Sequence, residues 1–170
     1  MNQTIVLGIG NRLMMDDGIG IYVVENLKKK NGIPAVSYVV GETDVYYCLA
    51  AVKDAGFLIV IDAADSGNKP GQVTVHPVSP GTGWHGTGLS GTGLSGTGLS
   101  AHNLHFLDLV NHFHKDLKGI LVGVQPFEIG FNLGLSRDLN NLLPEITTKI
   151  EKIISSATPS EWPASWPGPL

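Results

Sequence analysis

Three groups of side chains in this 170-residue chain have the types and spacing for acid–base or metal chemistry. Asp16 and Asp17 come after an apolar run, Ile5-Val6-Leu7, and a glycine turn, Gly8-Ile9-Gly10-Asn11, at the point where a helix should begin. Asp62 closes Phe57-Leu58-Ile59-Val60-Ile61, the most continuous apolar run in the chain. Of six histidines, His102 and His105 are best placed, three residues apart where a helical pattern opens. Two carboxylates and one imidazole around a divalent ion of borderline softness, with positions left open, suit Zn or Ni. The carboxylates alone suit general acid–base work. Plainer roles compete. Either Asp16 or Asp17 can cap a helix, which leaves the other free, and Asp62 can stabilise a turn through Ser66 or backbone amides. His112 and His114 fall on the distal part of the same helix, His76 precedes Pro77, and His85 lies among glycines.

The elements that must hold these groups read as alternating strands and helices. A first strand covers about Thr4–Gly8 and a first helix about Gly18–Lys30, which Asn31-Gly32 and Pro34 end. Val36–Val40 alternates as a second strand, and Thr43 or Asp44 can cap a helix reaching about Val52. Phe57–Ile61 is the candidate central strand, because strands buried on both faces read as continuous apolar runs. After Lys69-Pro70-Gly71, the stretch Gln72–Val78 is a strand expected to run antiparallel, since the link is too short for a crossover helix. Leu104–His114 reads as a helix, Gly119–Val124 as a buried strand and Asp138–Ser155 as an amphipathic helix with Pro144 in its early turns. The expected fold is α/β: a three-layer α/β/α sandwich around a mostly parallel, mixed sheet. In such a fold Asp17 and Asp62 come to the carboxyl edge, where open sheets keep their ligands.

Composition sets the outer bounds. A net charge of −4 argues against a nucleic-acid partner, and the one basic run, Lys28-Lys29-Lys30, suits the carboxyl end of a helix. Cys48 alone excludes an internal disulfide or a multi-cysteine metal site, and its apolar setting predicts a buried, inert thiol. No apolar run approaches the ~18 residues of a membrane span, and no leader-like stretch opens the chain, so a cytoplasmic protein with no membrane association is expected; a monomer is expected separately. Residues 1–157 are expected to form a single domain. Within it lies a glycine-rich loop, 81–100, where GTGLS occurs three times; a proline-rich tail with Trp162 and Trp166 follows at 158–170. The repeat lacks the Gly-Lys-Ser/Thr ending of a phosphate loop. Gly8-x-Gly10 begins a dinucleotide fingerprint, but Leu13 stands at the third glycine and two carboxylates at the helix mouth would repel a pyrophosphate.

With these residues in place, the chain resembles the hydrogenase maturation proteases, which trim the C-terminal extension of the NiFe-hydrogenase large-subunit precursor. Four blocks carry the resemblance: Gly8–Gly20 with Gly10-Asn11 and Asp16-Asp17-Gly18-x-Gly20; Ile59–Asp65 with Pro70-Gly71; Ser100-x-His102-Asn103-Leu104; and Gly123-Val124-Gln125-Pro126 with Gly130-Phe131 and Leu135-Ser136. The resemblance implies that Asp17, Asp62 and His102 recognise nickel and are the catalytic set. Many members have Glu at the position of Asp17, and Asp-Asp-Gly is similar to the hydrogenase-3-type branch. Gly41-Glu42-Thr43 departs from the usual double glycine and adds an acid near the cleft. The nickel would be brought by the large-subunit precursor, with Zn or Cd able to substitute in a crystal. A non-catalytic nickel-binding or escort protein for hydrogenase assembly is the alternative. Either way the two acids and the imidazole are expected to meet in one solvent-open pocket.

Overall fold

The computed structural model describes residues 3–30, 32–78 and 101–157, those at 78 and 101–105 by backbone alone. The glycine-rich segment 81–100 and the tail 158–170 lie outside the described residues. The elements in order are β1 (Gln3–Ile9), a 3₁₀ turn (Met15–Gly18), α1 (Ile19–Lys29), β2 (Val36–Glu42), α2 (Val45–Val52) and β3 (Ala55–Ala63). They continue with β4 (Val73–Val78), α3 (Ala101–Phe113), β5 (Lys118–Val124) and α4 (Arg137–Ser156). The five strands lie in the order β2-β1-β3-β5-β4. All neighbours are parallel except β4, which pairs antiparallel with β5 through Val73↔Val124 to Val78↔Gly119. The expected α/β class, the mixed sheet and the central place of Phe57–Ile61 are therefore observed.

Alternation along β3 divides the core. Phe57, Ile59 and Ile61 pack with Ile19, Val23 and Leu27 of α1 and with Leu139, Ile146 and Ile150 of α4. Leu58 and Val60 face the other way, onto Cys48 and Val52 of α2 and Phe106, Leu107 and Val110 of α3. Helices cover both faces, so neither face of the central strand can be polar; that is why its sequence is an unbroken apolar run. Because β1 is followed by a crossover to one side and β3 lies on the other, the chain reverses its direction of winding between β1 and β3. A crevice at the carboxyl ends of strands follows from such a reversal.

Local capping agrees with the residue types. The Asp44 Oδ1 accepts a 2.9 Å hydrogen bond from the Tyr47 N–H at the start of α2. Ser136 does the same for α4, its Oγ accepting from the Leu139 N–H at 3.3 Å. Pro144 falls inside α4, past its first turn, where it removes one i→i−4 backbone hydrogen bond. Cys48 is buried in the α2 face, and burial, with Asp44 nearby, pushes its thiol up to about 12. The folded protein is therefore expected to resist iodoacetamide at mildly alkaline pH and to label fully only in denaturant. Rapid labelling of the folded chain, followed by mass, would contradict this placement. No helix among the described residues is long and apolar enough to cross a membrane.

Candidate functional site

Glycines let the first acidic turn sit directly on the sheet edge. Gly10 has φ +132°, and a Cβ there would overlap the Asp17 carbonyl oxygen. At Gly20 a Cβ would overlap the carbonyl oxygens of Ile61 and Ile9. The first turn of α1 thus rests on the ends of β1 and β3 with backbone against backbone. Asp17 comes immediately before this contact, and Asp62 is the residue after Ile61. The two acids predicted from sequence are brought to the same place, the carboxyl edge at the β1/β3 reversal.

Their environments differ. Asp17 is partly buried, and its Oδ2 accepts a 2.9 Å hydrogen bond from the Asn11 N–H. It caps neither the 3₁₀ turn nor α1 through its side chain. Asp62 is fully buried, and its Oδ1 accepts from the Ala63 N–H at 2.8 Å. The expectation of a pocket open to solvent is therefore not met at Asp62, whose side chain has no exposed surface. Asp62 shares parity with Leu58 and Val60, so its side chain leaves β3 on the α2/α3 side. Both acids make further interactions beyond these two bonds.

His102 lies in the first turn of α3, and its side chain is outside the described residues. Only a short turn links the end of α3 to Lys118, where β5 begins at the opposite edge. The start of α3 is accordingly directed to the carboxyl edge, on the side of the sheet toward which Asp62 faces. The side chain of His105 and all of His85 are likewise outside the described residues. His76 sits within β4 opposite Leu121, and burial lowers its pKa. His112 meets the Phe113 ring edge-on at the far end of α3, and His114 follows it. Among the described residues no three His, Cys, Asp or Glu side chains gather as a metal site; the third member of the expected set is the undescribed His102 imidazole.

Three further polar groups shape this edge. Asp16 is fully buried, and all its side-chain partners lie on the segment after β5. Its Oδ2 accepts from the N–H groups of Phe127 and Glu128, both at 2.9 Å, and from the Ser136 Oγ at 2.8 Å. Its Oδ1 accepts from the Ser136 N–H at 2.7 Å. Gln125 holds the loop that follows Asp62: its Oε1 accepts from the N–H groups of Ser66 (2.9 Å) and Asn68 (3.2 Å), and its Nε2 donates to Asp65 Oδ1 at 2.8 Å. Of the turn-stabilising contacts considered for Asp62, the backbone-amide bond to Ala63 is observed, and Gln125 holds the loop beyond it. Arg12 ties two acids, donating to Glu25 Oε1 at 2.7 Å and to Glu42 Oε1 at 2.9 Å, and it lies over the Tyr22 ring at 5.3 Å. Hydrogen bonding to Glu25 raises the pKa of Arg12 against the effect of burial, with Glu42 adding to the rise; the same bond lowers that of Glu25. Glu42 adopts φ +50°, a left-handed conformation that a glycine would take without a Cβ penalty. The extra acid near the cleft is engaged by Arg12 rather than added to the Asp17–Asp62 pair.

Sequence reasoning placed Asp17 and Asp62 at this edge but missed the structural work of Asp16, Arg12 and Gln125. A doubled Asp was the one local sign that two roles were being filled. For Gln125 and Arg12 no local pattern exists, since their partners are remote in sequence.

The rim of this edge is apolar. Leu13, Tyr46, Phe127, Ile129, Phe131 and Leu133 are all exposed, Tyr46 and Phe131 by 85% and 86%. They sit on the segments that follow β1, β2 and β5.

No known family model matches the chain. It is 38% identical over 73 residues to the hydrogenase expression/formation protein HupD of Bradyrhizobium diazoefficiens, covering 42% of this chain and 38% of that protein. With the protein of the same name from Rhodobacter capsulatus it shares 41% identity over 70 residues, 41% of this chain and 33% of that one. The chain thus matches well under half the length of these curated relatives. In three dimensions it is similar to the hydrogenase maturating endopeptidase HybD from E. coli, with a TM-score of 0.70 over 91% of this chain and 94% of that one at 23% identity. That likeness shows a common fold. The resemblance to hydrogenase maturation proteins read from the sequence is met again in these relatives, over about 42% of this chain in the first of them.

Proposed function

We propose that this chain is an endopeptidase that removes the C-terminal extension of a NiFe-hydrogenase large-subunit precursor after nickel insertion. The observation that supports this reading is that Asp17, in the turn before α1, and Asp62, near the end of β3, both lie at the β1/β3 edge of a fold similar to that of a hydrogenase maturating endopeptidase. Nickel is here part of the substrate, held by the precursor and recognised by Asp17, Asp62 and His102. An ion of intermediate softness accepts thiolate, imidazole and carboxylate together, so ligands contributed by two proteins are chemically reasonable. Seating the ion would place one peptide bond of the precursor near the two carboxylates, and alignment of that kind is worth about 7 kcal/mol or more of the barrier. A carboxylate of this pair then takes the proton from the attacking water, as in an aspartic-type protease. Lowering of the water's pKa by the substrate's own metal is the metal-assisted variant.

The apolar rim supports a macromolecular substrate. Exposed apolar groups clustered around a site mark a surface that another protein covers, and a small polar substrate would have no use for Phe131 or Tyr46. A cytoplasmic monomer meeting a soluble precursor is part of the same proposal.

Mass spectrometry of the precursor tests the reading directly. Nickel-loaded precursor is expected to lose the mass of its C-terminal extension on incubation with this chain, and nickel-free precursor to keep it. Binding of the loaded precursor with no change in its mass would favour an escort role. Equal cleavage with and without nickel would refute recognition through the metal.

A further inference from the structure

We propose that Asp16 is a positioning residue of the same site, holding the Asp17 turn against the segment after β5; the inference rests on the endopeptidase reading above. Asp16 is fully buried and accepts four hydrogen bonds from three residues that lie 111 to 120 positions away in the chain. Its Oδ2 takes three of these bonds and its Oδ1 the fourth, all from the segment after β5, so this carboxylate is committed to that segment and is not counted in the ligand set. Its neighbours in sequence continue the same seam through the backbone. The Asp16 N–H donates to the Glu128 carbonyl at 3.3 Å and the Met15 N–H to that of Asn132 at 3.1 Å. In return the Asn132 N–H donates to the Leu13 carbonyl at 3.0 Å and the Gly134 N–H to that of Arg12 at 3.1 Å. Met15 within this seam has φ +51°, a conformation that a non-glycine residue keeps only when its surroundings over-determine it. Asp17 is the next residue on the same 3₁₀ turn, with its carboxylate on the Asn11 N–H.

The adjacent acids therefore divide the labour. Asp16 turns its carboxylate onto the Phe127–Ser136 segment and fixes the turn; Asp17, one residue on, is set in place by it. Ser136 makes the coupling extend further, because the hydroxyl that donates to Asp16 also caps α4. Asp16→Asn would put an amide donor where only donors now converge, repelling at least one of them and loosening the turn. A displacement of about 1 Å in a catalytic group costs on the order of 100-fold in rate.

The test compares kcat and KM for nickel-loaded precursor with the full chain and with Asp16→Asn, Ser136→Ala, Ser136→Thr and Val52→Ala, at a temperature well below the lowest melting point. Val52, the last residue of α2, is buried away from this seam and serves as a control for lost stability. Asp16→Asn is expected to lower kcat about 100-fold with KM little changed. Ser136→Ala, which keeps three of the four bonds, should lower kcat about tenfold, and Ser136→Thr, which restores the hydroxyl, should recover it. Val52→Ala should leave kcat unaltered. If Asp16→Asn does not fold, the Ser136 pair decides the matter alone. A kcat for the Asp16 and Ser136 variants no lower than that of Val52→Ala would overturn the positioning role. Failure of the unmodified chain to cut would instead remove the endopeptidase reading and this inference with it.

Discussion

Asp62→Asn is expected to abolish trimming of the nickel-loaded precursor, by about 1,000-fold or more, while the melting temperature stays the same or rises. The first half follows from the role of the carboxylate, since removing an acid–base group alone costs about 10² to 10⁴ in rate and loss of a contact to the substrate's nickel adds to it. The second half follows from burial. Asp62 has no exposed surface, and a charge held there carries a desolvation cost that the neutral amide does not. Asn also keeps an oxygen for the Ala63 N–H, which Asp62 Oδ1 now accepts at 2.8 Å. Paired measurement of cleavage by mass spectrometry and of unfolding by calorimetry separates the possibilities. A residue of purely structural value would lose stability and activity together. An Asp62→Asn variant that cuts at the normal rate would exclude Asp62 from the reaction.

The second large effect concerns a residue with no side chain. Gly20→Ala should destabilise the protein by about 3 kcal/mol, lowering the melting temperature by roughly 6 to 12 °C for a chain of this size. On propensity alone the sign would be opposite, because Ala is favoured over Gly within a helix by about 1 kcal/mol. Here the added Cβ would overlap the carbonyl oxygens of Ile61 and Ile9. These are backbone atoms at the ends of two core strands and have no room to retreat. Relief can come only by lifting the first turn of α1 from the sheet, which carries Asp17 away from Asp62. The variant should accordingly lose activity even at temperatures where it is fully folded. Thermal unfolding followed by circular dichroism gives the sign at once: a Gly20→Ala variant more stable than the unmodified chain would mean that the close contact between α1 and the sheet edge is absent.

The sequence by itself determined the layer architecture and the edge at which chemistry could occur. Ile5–Leu7, Phe57–Ile61 and Gly119–Val124 are continuous apolar runs, and only strands covered on both faces require that pattern. The short link before Gln72–Val78 was enough to expect the antiparallel strand seen as β4. Asp17 and Asp62 could be placed at one edge because each follows a strand of a parallel sheet, a fact of connectivity and not of packing. All of these are short-range signals, readable from neighbouring residues.

What only the tertiary structure decided were the partners. Nothing local distinguishes Asp16 from Asp17; the difference is made by the amides of Phe127, Glu128 and Ser136, which fold back onto one of them. In the same way Glu42 is committed to Arg12, the 65–68 loop to Gln125, and Asp62 to full burial at the end of β3. A hydrogen bond between groups so remote along the chain leaves no periodicity in the sequence, because its geometry exists only once the sheet has brought the loops after β1, β3 and β5 to a common edge.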